Sequence, residues 1–152
     1  MFIISACFLG ENCKYDGGNN TTEWITDFAK RHSHLAVCPE MAGGLPAPRP
    51  SVEIIDGKAV NKEGLDVTAE FKKGAALVWE DIQKQAAELG EEIEGAILKA
   101  KSPSCGSDLI YDGTFSHKTV VGDGFLVQLL KKNGIKVINE NDNKEDLLNE
   151  EL

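Results

Sequence analysis

Met1-Phe-Ile-Ile-Ser-Ala-Cys7 is a short apolar run that breaks into Phe8-Leu-Gly-Glu-Asn-Cys13. A run this short, bounded by loop residues, predicts a buried strand over Phe2 to Cys7 that ends at a cysteine. The same pattern recurs downstream. Leu35 to Cys38 is a second such run, closed by Pro39, and Ile93 to Lys99 is a third, breaking at Ser102-Pro103-Ser104-Cys105-Gly106. Ile135 to Ile138 supplies a fourth.

Helical periodicity lies between these runs. Trp24, Ile25 and Phe28 share a face in a stretch from Thr22 to His32, with Thr22 as the expected N-cap. A long helix is predicted from Asp66 or Thr68 to Leu89. There Phe71, Ala75, Val78, Ile82 and Ala86 recur at core spacing, and Gly90 ends the pattern. Phe125 to Asn133 reads as an amphipathic helix stopped by Gly134, and the tail from Lys144 as a short acidic helix. Two hairpins complete the pattern, one turning at Asp56-Gly57 and the other at Asp112-Gly113. Pro39 to Pro50 holds four prolines and is expected to be an ordered, irregular loop.

Strands alternating with helices predict an α/β chain with a mainly parallel sheet of about four strands and helices on both faces. This is a Rossmann-like three-layer architecture, expected as a single domain over 1–152. Ligands of such sheets bind outside the carboxyl ends of the strands. Cys7, Cys38 and Cys105 would meet there, with Cys13 on the loop leaving Cys7.

Composition narrows the partners. Sixteen basic and 25 acidic residues give a net charge of −9, which disfavours a nucleic-acid polymer, since phosphate contacts need clustered Lys and Arg. No apolar run approaches the roughly 18–20 residues that span a bilayer, so no membrane partner is expected. The N-terminus lacks the basic flank of a signal peptide, which predicts a cytoplasmic protein in which disulfides are not expected.

Thiolates are the preferred ligands of cluster iron and of zinc. Structural zinc usually takes Cys-x-x-Cys knuckles, and none occurs here. His32, His34 and His117 read as surface or satisfied residues. The spacing leaves open a metal or cluster site, a catalytic thiol without metal, and placement without function. Glu40, two residues after Cys38, suits a general base or an acceptor that orders the loop. Ser102 and Ser104 suit hydrogen bonds to a substrate or within their own turn. Lys99 and Arg49 suit polar substrate contacts or salt bridges.

Three segments carry a resemblance. They are Ser5-Ala-Cys-Phe-Leu-Gly-Glu-Asn-Cys-Lys-Tyr-Asp-Gly17, then Cys38-Pro-Glu-Met-Ala-Gly-Gly-Leu-Pro-Ala-Pro-Arg49, then Leu98-Lys-Ala-Lys-Ser-Pro-Ser-Cys-Gly106 with Tyr111-Asp-Gly113 behind it. Together, in this order and over nearly the whole chain, they resemble the thiouracil desulfurase family. The resemblance implies a 4Fe–4S cluster held by three cysteines, with one iron free for the sulfur of a small thiolated nucleobase such as 2-thiouracil. It implies hydrolysis: water replaces the sulfur, sulfide leaves, and no net redox change occurs. Cys7, Cys38 and Cys105 match family cysteines and are taken as ligands because they lie at strand ends. Cys13 also matches one, so the choice of three from four stays open; outside the ligand set, Cys13 joins Glu40 and Ser102 as a catalytic candidate. Phe8 and Lys14 depart from the family, where leucine and arginine are common.

Two other classes compete. One is a cluster protein that stores, carries or senses sulfur or redox state without turnover. The other is a metal-free enzyme whose low-pKa thiol forms a persulfide.

Overall fold

The computed structural model describes residues 1–148 of the 152-residue chain. Its elements run β1 (Phe2–Ser5), a 3-10 turn (Ala6–Leu9), α1 (Glu23–Arg31), β2 (His34–Val37), α2 (Pro39–Ala42), β3 (Val52–Ile55), β4 (Lys58–Asn61) and α3 (Thr68–Leu89). Then follow β5 (Gly95–Ile97), β6 (Leu109–Tyr111), β7 (Thr119–Val121), α4 (Phe125–Lys132), β8 (Val137–Ile138) and α5 (Glu145–Leu148). β2, β1, β5 and β8 form a four-stranded sheet in that order, and every pairing is parallel.

Both faces of the sheet are covered, as parallel sheets require. Alternation along β1 sorts its side chains: Ile3 packs with α3 and α4 residues such as Phe71, Val78, Leu126 and Leu130. Phe2 and Ile4 pack with Ile25 and Phe28 of α1 and Leu147 of α5. This is the expected three-layer α/β arrangement. No described helix is long and apolar enough to cross a membrane.

Several boundaries differ from expectation, each for a local reason. β1 stops at Ser5, and Cys7 lies in the 3-10 turn, which closes on Gly10 at φ 94°. Pro39 to Pro50 is not wholly irregular: Pro39, with its fixed φ and no N–H to satisfy, opens the helical turn α2. Thr22 precedes α1 without capping it, since its hydroxyl donates to the Asn20 carbonyl at 2.8 Å. The Asp56-Gly57 turn joins β3 and β4 as expected, with φ of 50° and 77°. The second hairpin does not turn at Asp112-Gly113. β6 pairs with β7, so residues 112–118 form a longer loop with left-handed backbone at Gly113, Phe115 and His117. The acidic tail is helical over Glu145–Leu148, and its remainder lies outside the described residues.

One contact in the fold governs the position of α2. A Cβ on Gly74 of α3 would stand 1.9 Å from the Pro39 carbonyl oxygen, and one on Gly43 would stand 2.1 Å from the Glu70 carbonyl oxygen. Backbone meets backbone at both places, so neither side has a flexible group that can yield. Within a helix, Gly→Ala ordinarily stabilises by about 1 kcal/mol. Gly74→Ala is expected to have the opposite sign, destabilising by about 1–3 kcal/mol through overpacking. It should also lower activity by displacing the turn that bears Glu40. Denaturant midpoints measured beside turnover check both effects; a stabilised, fully active variant would refute the contact.

Candidate active site

The ends of β1, β2 and β5 feed one cleft, and the end of β8 lies beside it through the Lys99–Glu140 pair. Past β1 comes Cys7, and past β2 come Cys38 and Glu40. β5 is followed by Lys99, Ser102, Ser104 and Cys105, and β8 by Glu140. The cleft has a volume of about 830 Å³, and Cys7, Cys13, Cys38, Glu40, Arg49, Lys99, Ser102, Ser104 and Cys105 all line it. Every residue singled out in the sequence is therefore at this one place. Cys7, Cys13 and Cys105 are buried and Cys38 is partly exposed; all four are free thiols.

The thiols differ in their surroundings. Burial pushes Cys105 up to about 12, although the Ser104 and Ser5 hydroxyls pull it partway back. Burial also raises Cys7, against a hydrogen bond from the Asn20 amide at 3.5 Å. Cys13 and Cys38 act as a pair. Cys13 donates to Cys38, which holds the Cys13 proton on and favours the Cys38 thiolate, with the Met41 backbone N–H as a further donor. As a thiol, Cys38 is within 3.8 Å of the Cys13 carbonyl.

A carboxylate network stands beside the thiols. Glu40 Oε1 accepts from Arg49 Nε at 3.2 Å, and Glu40 Oε2 accepts from the Ser104 hydroxyl at 2.9 Å. The Ser104 and Ser102 hydroxyls lie 3.5 Å apart. Ser102 Oγ also accepts the Cys105 N–H at 2.7 Å and so shapes the Ser-Pro-Ser-Cys turn. Arg49 is buried, and its guanidinium donates to the Pro46 carbonyl at 2.9 Å and the Cys13 carbonyl at 2.8 Å. It thereby ties Glu40 to the first cysteine loop. The Lys99 ammonium pairs with Glu140 at 2.7 Å, while the other Glu140 oxygen takes the Ala100 N–H at 2.8 Å.

The sequence had not singled out Asn20, Glu140 or the ring-bearing residues Tyr111, Phe115 and His117 as site residues, although Asn20 and the three rings line the cleft. Only Tyr111 carried a prior signal, inside the Tyr111-Asp-Gly113 motif. His117 is exposed, as expected of a surface residue, yet it also borders the cleft.

The donor set has the chemistry of a soft metal centre: four free thiols, three of them buried, line one cleft, and thiolate sulfur is the ligand that iron–sulfur clusters take. Thiols desolvated in a shared cleft become anions together only when soft cations compensate them.

Comparison with known proteins agrees with this geometry. The profile of the 2-thiouracil desulfurase family matches residues 2–142. An uncharacterised protein of Bacillus subtilis (strain 168), YbbK, is 37% identical over 154 residues, covering 93% of this chain and 97% of its own. The solved structure of a [4Fe-4S]-dependent thiouracil desulfidase, TudS, superposes with a TM-score of 0.84 at 40% identity, covering 98% of this chain and 95% of its own. A match over nearly the whole chain, with the motif cysteines gathered at the strand ends, places this protein in the 2-thiouracil desulfurase family.

Proposed function

We propose that the protein is a 4Fe–4S-dependent desulfurase that hydrolyses the carbon–sulfur bond of a thiolated nucleobase of the 2-thiouracil kind and releases sulfide. The observation that carries this proposal is the convergence of the thiols with the Arg49–Glu40–Ser104 network in one cleft. The likeness to a [4Fe-4S]-dependent thiouracil desulfidase supports the choice of cofactor and substrate class.

Cys7, Cys38 and Cys105 would hold the cluster. When bound, it would supply a Lewis-acidic iron free of protein ligands for the thiocarbonyl sulfur. The remaining work belongs to the chain itself. Glu40 takes a proton from the attacking water, and Arg49 holds the carboxylate in position while it does so. The Ser102 and Ser104 hydroxyls fix the polar edge of the base. Cys13 orients the Cys38 thiolate through its thiol. Lys99, anchored by Glu140, keeps a positive charge at the cleft wall where sulfide departs.

Thiocarbonyl and carbonyl carbon share one oxidation level, so one water and one thiobase give one oxo-base and one hydrogen sulfide. The reconstituted protein, incubated with 2-thiouracil in oxygen-18 water without reductant, is expected to yield labelled uracil and an equal amount of sulfide. Strict dependence on an electron donor would sink the hydrolytic mechanism. A stable cluster with no turnover of any thiobase would favour a carrier or sensor, and turnover without iron and acid-labile sulfide would favour a persulfide enzyme.

A further inference from the structure

The loop joining β6 and β7 is held in a manner that packing alone does not require. Glu53, on β3, is buried, and its Oε1 accepts both the Gly113 N–H at 3.0 Å and the Phe115 N–H at 3.1 Å. Asp112 Oδ1 accepts the Thr114 N–H at 2.9 Å from within the loop. Gly113 approaches β3 so closely that a Cβ there would stand 2.5 Å from the Ile55 side chain. Phe115 and His117 both adopt left-handed backbone, φ 55° and 63°. That conformation is uncommon for a bulky residue and is sustained only when surrounding contacts impose it.

The end of β6 and this loop together bring three rings to the cleft. Tyr111, Phe115 and His117 all line it, and Tyr111 and His117 meet edge to face at 6.2 Å. Phe115 belongs to neither hydrophobic core and is half-buried. An apolar ring left out of the core, on a loop fixed by a buried carboxylate and lining the cleft, is available to a flat heterocycle bound there.

We propose that Phe115 is the stacking residue that recognises the ring face of the substrate, and that Glu53 is the positioning residue that fixes it there. The proposal rests on the thiobase function above and deepens it: selection is for a planar heterocyclic thiocarbonyl over a small acyclic one. Aromatic stacking accepts any base with a π face, while the Ser102 and Ser104 hydroxyls read its polar edge.

The test uses cluster-reconstituted protein and two probes, 2-thiouracil and thiourea, which share a thiocarbonyl but differ in having a ring. Equilibrium titration, carried out in the slow Glu40→Gln background so that the probe is not consumed, should show preference for 2-thiouracil when Phe115 and Glu53 are unaltered. Phe115→Ala and Phe115→Leu should each weaken 2-thiouracil binding about tenfold, and thiourea binding by less than about twofold. The KM for 2-thiouracil should rise in step while kcat changes by less than about threefold. Glu53→Ala should reproduce this pattern, and Glu53→Gln, which keeps the acceptor oxygen, should restore wild-type preference. Phe115→Leu retains apolar bulk, so it answers the question even if the alanine variant fails to fold. Unchanged ring preference in Phe115→Leu, or a loss confined to kcat, overturns the stacking role. Wild-type protein that prefers the ring compound but never turns it over refutes the desulfurase function and leaves stacking standing. Failure of the wild type to bind either probe refutes both.

Discussion

Replacing Cys105 by Ala is expected to leave a folded protein with no brown cluster absorbance and no measurable desulfuration. Cys105 is 5% exposed and packs in the hydrophobic core over the sheet, so a purely structural thiol is the competing explanation. That alternative makes a different forecast. A buried cysteine acting as a small hydrophobe loses only a modest packing term on truncation, about 1 kcal/mol for a group of that size, and would leave the cofactor untouched. The ligand role instead forecasts complete loss, because the Ser-Pro-Ser-Cys turn has no second thiol to take its place. On the proposed ligand set, Cys7→Ala and Cys38→Ala should behave alike. Iron and acid-labile sulfide assayed after anaerobic reconstitution, beside a thermal melt, distinguish the cases. A Cys105→Ala protein that binds a full cluster would refute the assignment.

Cys13→Ala completes the set and resolves the choice of three from four. Cys13 donates to Cys38, its carbonyl accepts from Arg49, and its thiol lies in the same cleft. These contacts suit a residue that aims a ligand and a carboxylate. The variant is therefore expected to retain the cluster and to turn over more slowly. Cluster loss here, with retention in one of the other three variants, would redraw the ligand set.

The parts of this design that were legible in the sequence are those encoded locally. Ile3 and Ile4 announce a strand buried on both faces, and the spacing of Phe71, Val78 and Ile82 announces the helix that covers one of them. The Asp56-Gly57 turn is written in two adjacent residues that tolerate positive φ. The cysteines were legible because each follows a strand, and strand ends of a parallel sheet meet at one edge. Residues whose partners are distant were not legible. Glu53 reads as an ordinary strand glutamate, since its N–H donors lie 60 and 62 positions downstream. Glu140 likewise gives no local sign that it will secure Lys99 and the Ala100 N–H. The second hairpin was misplaced because Asp112-Gly113 has turn chemistry, yet here it opens a longer loop whose left-handed Phe115 is imposed from β3.

Glu40→Gln is the variant with the largest expected effect on the reaction alone: kcat should fall by about 10²–10⁴-fold, the range for a lost general base, while cluster absorbance is retained. Glutamine preserves the shape of the side chain and one carbonyl oxygen, enough to accept from Ser104, but it cannot take a proton at neutral pH. The surroundings of Glu40 favour a clean result. Arg49 keeps its bonds to the Pro46 and Cys13 carbonyls in the variant, so the first cysteine loop remains tied. Ser102 still accepts the Cys105 N–H, so the turn carrying that cysteine keeps its shape. The cost falls on Arg49, a buried cation deprived of its carboxylate, and a lower melting temperature is expected from that alone. Stability and catalysis can still be separated by measuring kcat per bound cluster well below the melting transition, where the variant is folded. Arg49 stays in place in this experiment, so its bonds to the Pro46 and Cys13 carbonyls are kept. If kcat per cluster in Glu40→Gln equalled that of the unaltered protein, Glu40 would serve only to neutralise Arg49, and the proton acceptor would have to be sought elsewhere in the cleft.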